Sequence, residues 1–117
     1  MPEEIKIYQK PTCSKCRETI VVLRDRGVEF ESINYYETPF TAAELKRLIE
    51  KLGVGPRDVM RKDEKVYRDL KLASRKLTDD ELIELMVQNP DLIQRPIVER
   101  GNRAVLARPP KNVEDLL

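Results

Sequence analysis

The sequence predicts an α/β domain in which a βαβ unit opens the chain, helices fill its middle and a ββα unit closes it. Three observations carry that prediction. The segment "IKIY" (Ile5 to Tyr8) alternates apolar and polar residues, which is the period of a strand. Two threonine–glutamate pairs, Thr41 with Glu44 and Thr78 with Glu81, stand ahead of leucines at helical spacing, the signature of a capping box. Near the end, "PIVE" and "RAVLA" flank Arg100, Gly101 and Asn102, a spacing suited to a tight hairpin. The 117 residues match the size of one compact domain, so a single domain over residues 1–117 is expected.

After the first strand the period changes. Cys16, Ile20, Leu23 and Gly27 fall on one helical face, and Gly27 can end that helix in a left-handed conformation. "VEFESINYY" reads as a second strand with Val28 and Phe30 inward. The first capping box opens a helix carrying Leu45, Leu48, Ile49 and Leu52, closed by Gly53. "PRDVMRKDEKVYRDLKL" is charged and partly helical, with Val66, Tyr67 and Leu70 as its expected inner side. The second capping box opens a helix carrying Leu82, Leu85 and Met86. "NPDLI" predicts a short helical turn with Asn89 as cap and Pro90 in the first position. The hairpin follows, and Asn112 is expected to cap a last short helix that ends at Leu117. This order, βαβ then ββα around a helical insertion, is the outline of a thioredoxin-like fold.

Composition narrows the function. Apolar residues make up 40% and charged residues 37%, and the charges nearly cancel to +1. A nucleic-acid binder usually shows a clear basic excess, and a disordered chain combines low hydrophobicity with high net charge, so neither is expected. No apolar run approaches the ~18 residues of a membrane span, and "MPEEIKIY" lacks the basic start and apolar stretch of a secretory signal. A cytoplasmic location follows, with no membrane or nucleic-acid partner. In that compartment a CxxC pair points to catalysis or metal binding, not to a structural disulfide.

Both cysteines of the chain lie in "KPTCSKCRET", as Cys13 and Cys16. A zinc site needs four ligands, usually Cys and His, and the chain has no histidine, so no metal site is expected. Two inert buried thiols are the plain alternative. Against it, both residues sit where a strand gives way to a helix. A thiol there meets unpaired main-chain N–H groups and the positive end of the helix dipole, which favour the thiolate. Lys10, Lys15 and Arg17 add positive charge nearby. Cys13, at the helix start, is expected to attack, and Cys16, one turn in, to resolve by reaching back.

Arg61 in "VMRKDE", Arg95 in "QRPIVE" and Arg108 in "LARPP" need a separate account. Each alone reads as a solvated surface arginine. Converging on a thiolate, they would make an oxyanion pocket, because the planar guanidinium fork binds tetrahedral oxyanions in two places at once. Arg95 precedes Pro96, at the place where a thioredoxin-like fold sets a cis-proline facing its cysteines.

Beyond these readings, the whole chain resembles the glutaredoxin-linked arsenate reductases, in the wider group that also holds the Spx-type transcription regulators. The resemblance rests on "IYQKPTCSKCR", "YYETPFTAAEL", "LGVGPRDVMRKDEKVYRDL", "LTDDELIELMVQNPDLIQRPIV" and "LARPPKNVEDLL". It implies a thioredoxin-like fold with a helical insertion. It also implies a nucleophile at Cys13 that attacks arsenate or a similar oxyanion, and substrate-binding arginines at Arg61, Arg95 and Arg108. No bound cofactor is implied, only a reducing thiol donor: glutathione with glutaredoxin, or thioredoxin.

The chain departs from the best-known members in two places. Gln9 stands where they carry a histidine, and Cys16 where they carry a serine. With Cys16 present the enzyme can resolve its own adduct as a Cys13–Cys16 disulfide, so the donor can be a dithiol protein in place of free glutathione. Spx-type regulators, which bind RNA polymerase and sense oxidation through CxxC, are the competing reading. They usually lack the late arginine that this chain keeps as Arg108. A third reading is a thiol-disulfide oxidoreductase of the same family with another substrate.

Overall fold

The computed structural model describes residues 4–117. The chain folds as two compact units. The first holds the chain up to Thr38 together with Arg95–Leu117, and the second is Pro39–Gln94.

The first unit is built on a four-stranded sheet, β1 (Ile5–Gln9), β2 (Phe30–Asn34), β3 (Ile97–Arg100) and β4 (Arg103–Leu106), in the order β2-β1-β3-β4. Strands β1 and β2 run parallel, while β3 is antiparallel to both β1 and β4. One parallel crossover followed by an antiparallel hairpin is the thioredoxin-like sheet that the chain order predicts. Helix α1 (Ser14–Asp25) makes the crossover. It stops as expected at Gly27, whose φ is +67°. The N–H of Gly27 donates to Arg24 O at 2.9 Å and that of Val28 to Leu23 O at 3.3 Å, the paired bonds of a Schellman motif.

Ile5, Ile7, Leu23, Val98, Ala107, Val113 and Leu116 form the buried core of this unit, with Ile20, Val28 and Phe30 packed against it. The inward reading of Val28 and Phe30 therefore holds, although both stay half-buried: Phe30 opens β2, an edge strand, and Val28 precedes it, outside the strand. The final element corrects the prediction. It is a 3₁₀ helix over Pro110–Leu116 with Pro109, not Asn112, at its cap. The Asn112 amide instead donates to Leu106 O and Arg108 O at 3.2 and 3.3 Å. Proline at the first position needs no N–H there, which lets the helix start earlier.

The second unit contains α2 (Ala42–Leu52), α3 (Lys65–Asp69) and α4 (Asp79–Gln88), with 3₁₀ turns over Pro56–Val59 and Pro90–Leu92. Both predicted capping boxes form, at Thr41/Glu44 and Thr78/Glu81. Leu45, Leu48, Ile49, Tyr67, Leu82 and Met86 are buried as expected, and Leu72 and Ile83 join them. Asn89 stands at the cap of the short turn and Pro90 in its first position, as expected, but the Asn89 side chain makes no capping bond there. That side chain donates back to Leu85 O at 2.9 Å and so closes α4. No helix among the described residues is long and apolar enough to cross a membrane.

Candidate active site

The cysteines stand where strand β1 turns into α1. Cys13 is the N-cap residue, extended at φ −84° and ψ 123°. Its N–H donates to Lys10 O at 2.9 Å, and its carbonyl accepts from Arg17 N at 3.1 Å. Because the cap residue has left the helical conformation, its side chain lies over the first turn, where main-chain N–H groups have no helical partner.

Burial by itself would raise the Cys13 thiol. That effect is outweighed by the Cys16 side chain, which donates to the Cys13 sulfur, by the main-chain N–H groups of Cys16 and Lys15, and by the charge of Arg95. The net result is a thiol held below its usual range. Cys16 is 0% exposed and behaves in the opposite way. Burial first, then the hydrogen bond to Cys13 and the negative charge there, push it up to about 12, against the opposing N–H of Lys10 and charge of Arg95. The two sulfurs are both free thiols with unequal acidity, so Cys13 ionises more readily than Cys16.

Arg95 ends the segment before β3 and is 7% exposed. The peptide bonds Arg95-Pro96 and Arg108-Pro109 are both cis, and Pro96 is buried. Pro96 O accepts from Ala107 N at 3.0 Å, which carries the hairpin ladder one step beyond β3 and β4. Arg108 Nη1 then donates to Arg95 O at 3.0 Å. Burial would lower the Arg95 guanidinium, but the Tyr35 hydroxyl, Tyr36 and Cys13 raise it, so it keeps its charge. Its Nε and Nη1 are buried and have no protein partner.

Cys13, Cys16, Arg95, Pro96 and Arg108 are thus held by the first unit. Arg61 belongs to the second. There its main-chain N–H donates to Leu92 O at 2.7 Å, and its Nη2 lies 3.5 Å from Glu64 and 3.8 Å from Asp63. The Arg61 Nε is also buried without a partner.

The lysines contribute differently from the prediction. Lys15 acts on Cys13 through its main-chain N–H, while its ammonium pairs with Glu18 at 3.3 Å. Lys10 supplies main-chain groups to both cysteines, and its ammonium lies 4.8 Å from the Tyr36 ring centroid. Arg17 is exposed on α1. The cation whose charge acts on both sulfurs is Arg95.

Gln9, in the place of the family's histidine, is buried and donates to Ser32 Oγ at 2.8 Å. Sequence reasoning missed Tyr35, a buried phenol that burial pushes up to about 12 against the opposing charge of Arg95. The signal was the paired tyrosines ahead of "ETPFT", which strand reading absorbed into β2. No cluster of three or more His, Cys, Asp or Glu among the described residues is arranged to hold a metal.

Comparison with known proteins covers the same ground. The arsenate reductase of Escherichia coli (strain K12) is 42% identical over 113 residues, covering 97% of this chain and 80% of that protein. Another protein of the same strain, "Uncharacterized protein YfgD", is 43% identical over 118 residues, covering 100% of this chain and 99% of its own length. Among solved structures, an arsenate reductase from Vibrio cholerae matches with a TM-score of 0.94 at 40% identity, covering 100% of both chains. The ArsC family profile matches residues 8–116, a span that takes in both cysteines and all three arginines. A CxxC sulfur of lowered pKa on a thioredoxin-like frame, a buried arginine whose charge acts on it and likeness over the full chain agree: this chain belongs to the ArsC family.

Proposed function

We propose that the chain reduces arsenate to arsenite, with Cys13 as nucleophile, Arg95, Arg108 and Arg61 as oxyanion ligands, and Cys16 as the resolving thiol. The observation that carries this reading is the pairing of a stabilised Cys13 thiolate with a buried Arg95 whose Nε and Nη1 have no protein partner. Buried donors are almost always satisfied, and an unpaired charged fork beside an ionised sulfur suits an oxyanion. The family resemblance adds Arg61, whose unpartnered Nε fits the same use.

In the first step the Cys13 thiolate attacks the arsenic of arsenate. An As–OH oxygen takes up one proton from solvent and leaves as water as the As–O bond breaks, and an S–As(V) bond forms. The arginines neutralise the oxyanion and hold it in line with the sulfur. In the second step Cys16 attacks the Cys13 sulfur. The S–S bond forms, the S–As bond breaks and its electron pair stays on arsenic, which leaves as arsenite. The two thiols lose the two electrons that arsenic gains.

Cys16 must shed its proton for that attack. Burial holds it up throughout, but the hydrogen bond to the Cys13 anion and the charge on that anion both vanish once Cys13 is bonded to arsenic. Adduct formation therefore makes Cys16 more acidic at the step that needs it. A dithiol donor, glutaredoxin or thioredoxin, or glutathione, then returns two electrons and two protons to the disulfide. We place the reaction in the cytoplasm, where such donors are kept reduced.

The test is arsenite formation from arsenate with thioredoxin, glutaredoxin and glutathione supplied separately. Arsenite with one of the three is expected. Its absence with all three, in protein whose Cys13 alkylates normally, would overturn the reading.

A further inference from the structure

Arg61 leaves the backbone from a fixed point. Met60 and Ile93 form an antiparallel bridge, closed by Arg61 N donating to Leu92 O and Gln94 N to Val59 O, both at 2.7 Å. Val59, Met60, Leu92 and Ile93 are all buried, and the Arg61 side chain is itself only 16% exposed. Glu64 is set as closely. It is the N-cap residue of α3, and its carbonyl accepts from Tyr67 N at 3.1 Å and Arg68 N at 3.5 Å. Its carboxylate makes no capping bond to that helix. It turns to Arg61 instead, with Oε1 3.5 Å from Nη2. Asp63 Oδ2 lies 3.8 Å from the same nitrogen. That side chain is 77% exposed, against 27% for Glu64, so water screens it far more.

The Nε–H and Nη2–H of a guanidinium project side by side from one edge of the planar group, an edge that can bind two acceptor oxygens together. In Arg61 the Nη2 end of that edge faces Glu64, while Nε is buried without a partner. An oxyanion oxygen that accepts from Nε therefore comes to lie beside the Glu64 carboxylate. Two anionic oxygens side by side repel, and partial burial strengthens the repulsion. A carboxylate has several lone pairs. The same contact turns favourable when the incoming anion presents a hydroxyl that donates to Glu64.

We propose that Glu64 is a specificity-determining residue for the oxyanion at Arg61. It accepts a hydrogen bond from a protonated oxygen, so the site takes hydrogen arsenate or hydrogen phosphate and rejects a tetrahedral anion without a proton, such as sulfate. The proposal rests on the reading of Arg61 as an oxyanion ligand given above. Discrimination comes from the rejected anion: sulfate on Arg61 sets a like charge against Glu64 with no hydrogen between them, a cost that the protonated anion does not meet.

Phosphate and sulfate separate the effect of the proton from those of shape and charge. At mildly alkaline pH both are tetrahedral dianions, and only hydrogen phosphate has a hydroxyl. In calorimetric titrations of the whole protein, phosphate is expected to bind roughly tenfold more tightly than sulfate, the worth of one hydrogen bond to a charged group. Glu64→Gln removes the charge and supplies an amide that donates as well as accepts. Sulfate should then bind roughly tenfold more tightly than it does to wild type and come level with phosphate. Asp63→Asn should leave the phosphate-to-sulfate ratio unchanged, because that carboxylate stands in solvent. Equal binding of the two anions by wild type overturns the proposal, and so does a ratio that Glu64→Gln leaves intact. An equal shift in Asp63→Asn also overturns it, since diffuse charge would then account for the discrimination. If Arg61→Ala binds both anions as wild type does, Arg61 is no oxyanion ligand and the proposal falls with that assignment. Arsenite formation by the same variant then judges the rest of the site separately.

Discussion

Arg108 donates through Nη1 to the main-chain oxygen of Arg95 at 3.0 Å. The hairpin produces this contact. Its register pairs Ile97 with Leu106, and the Ala107–Pro96 bond continues it, so the two arginines come to face each other across the open end of the ladder. One guanidinium is fixed by the backbone of the other, and both are delivered to the first unit by a single turn at Gly101-Asn102.

Arg95→Ala should cut arsenate turnover by about 10²–10³-fold, the usual loss on removing one preorganised oxyanion donor. Alkylation of Cys13 by the neutral reagent iodoacetamide should fall only a few-fold, because the main-chain N–H groups of Cys16 and Lys15 still favour the thiolate. Comparable losses in both assays would count against an oxyanion role.

Cys16→Ser should leave the first chemical step intact and stop turnover supported by a dithiol protein alone. Rapid quench should trap an arsenic adduct on Cys13 in this variant, whereas wild type should yield the Cys13–Cys16 disulfide. Full steady-state turnover of Cys16→Ser with thioredoxin as sole donor would remove Cys16 from the mechanism. Restoration by glutathione would show that an external thiol can take over its step.

Alkylation should also separate the two sulfurs by pH. Cys13 is held below its usual range, so its reaction should reach half-maximal rate below the ~8.5 of a free thiol. Cys16, pushed up to about 12 and fully buried, should stay unmodified in the folded protein. Peptide mapping after labelling at pH 7 decides the matter: label on Cys16 in native protein contradicts the assignment.

Stability should fall on the alkaline side. Cys16 and Tyr35 both have folded values raised to about 12, above the ~8.5 and ~10 of an unfolded thiol and phenol. In that window the unfolded chain has released protons that the folded chain keeps, so the unfolding free energy declines as pH rises. Urea unfolding between about pH 9 and 12 should show this slope. Tyr35→Phe and Cys16→Ala should each flatten it by up to one proton. An unchanged slope in both variants would mean that neither group is held neutral by the fold.

Leu23 is 0% exposed within the core of the first unit. Leu23→Ala should cost about 2–5 kcal/mol. Thr78→Ala, which removes the capping oxygen that accepts from Glu81 N at 3.2 Å, should cost about 1 kcal/mol. Denaturant unfolding measures both, and the order of the two costs is the checkable outcome.

Local chemistry made much of the fold legible in advance. Capping boxes at Thr41 and Thr78, the stop at Gly27 and the Gly101-Asn102 hairpin each involve neighbours within four residues or so, and all four form. Asn112 was misread for a related reason, and the Asn89 side chain, though at the expected cap position, also bonds elsewhere. An asparagine amide bonds forward or backward equally well, and only the surrounding carbonyls decided that both donate backward. The lysines near Cys13 were overvalued because sequence proximity says nothing about where an ammonium ends. Lys15 turns to Glu18 and Lys10 to Tyr36.

The order of elements and the placing of Cys13 at a helix start follow from the residues in sequence, since a helix N-terminus favours an anion wherever it occurs, whereas the high value of Cys16 comes first from burial. Tertiary packing alone chooses which distant groups act on that anion. Arg95 acts on the sulfurs from 79 positions away or more along the chain, and Arg108 comes with it through the hairpin register. Those relations depend on packing among segments far apart in sequence, and burial gives each of them its strength by removing the water that would otherwise screen the charges.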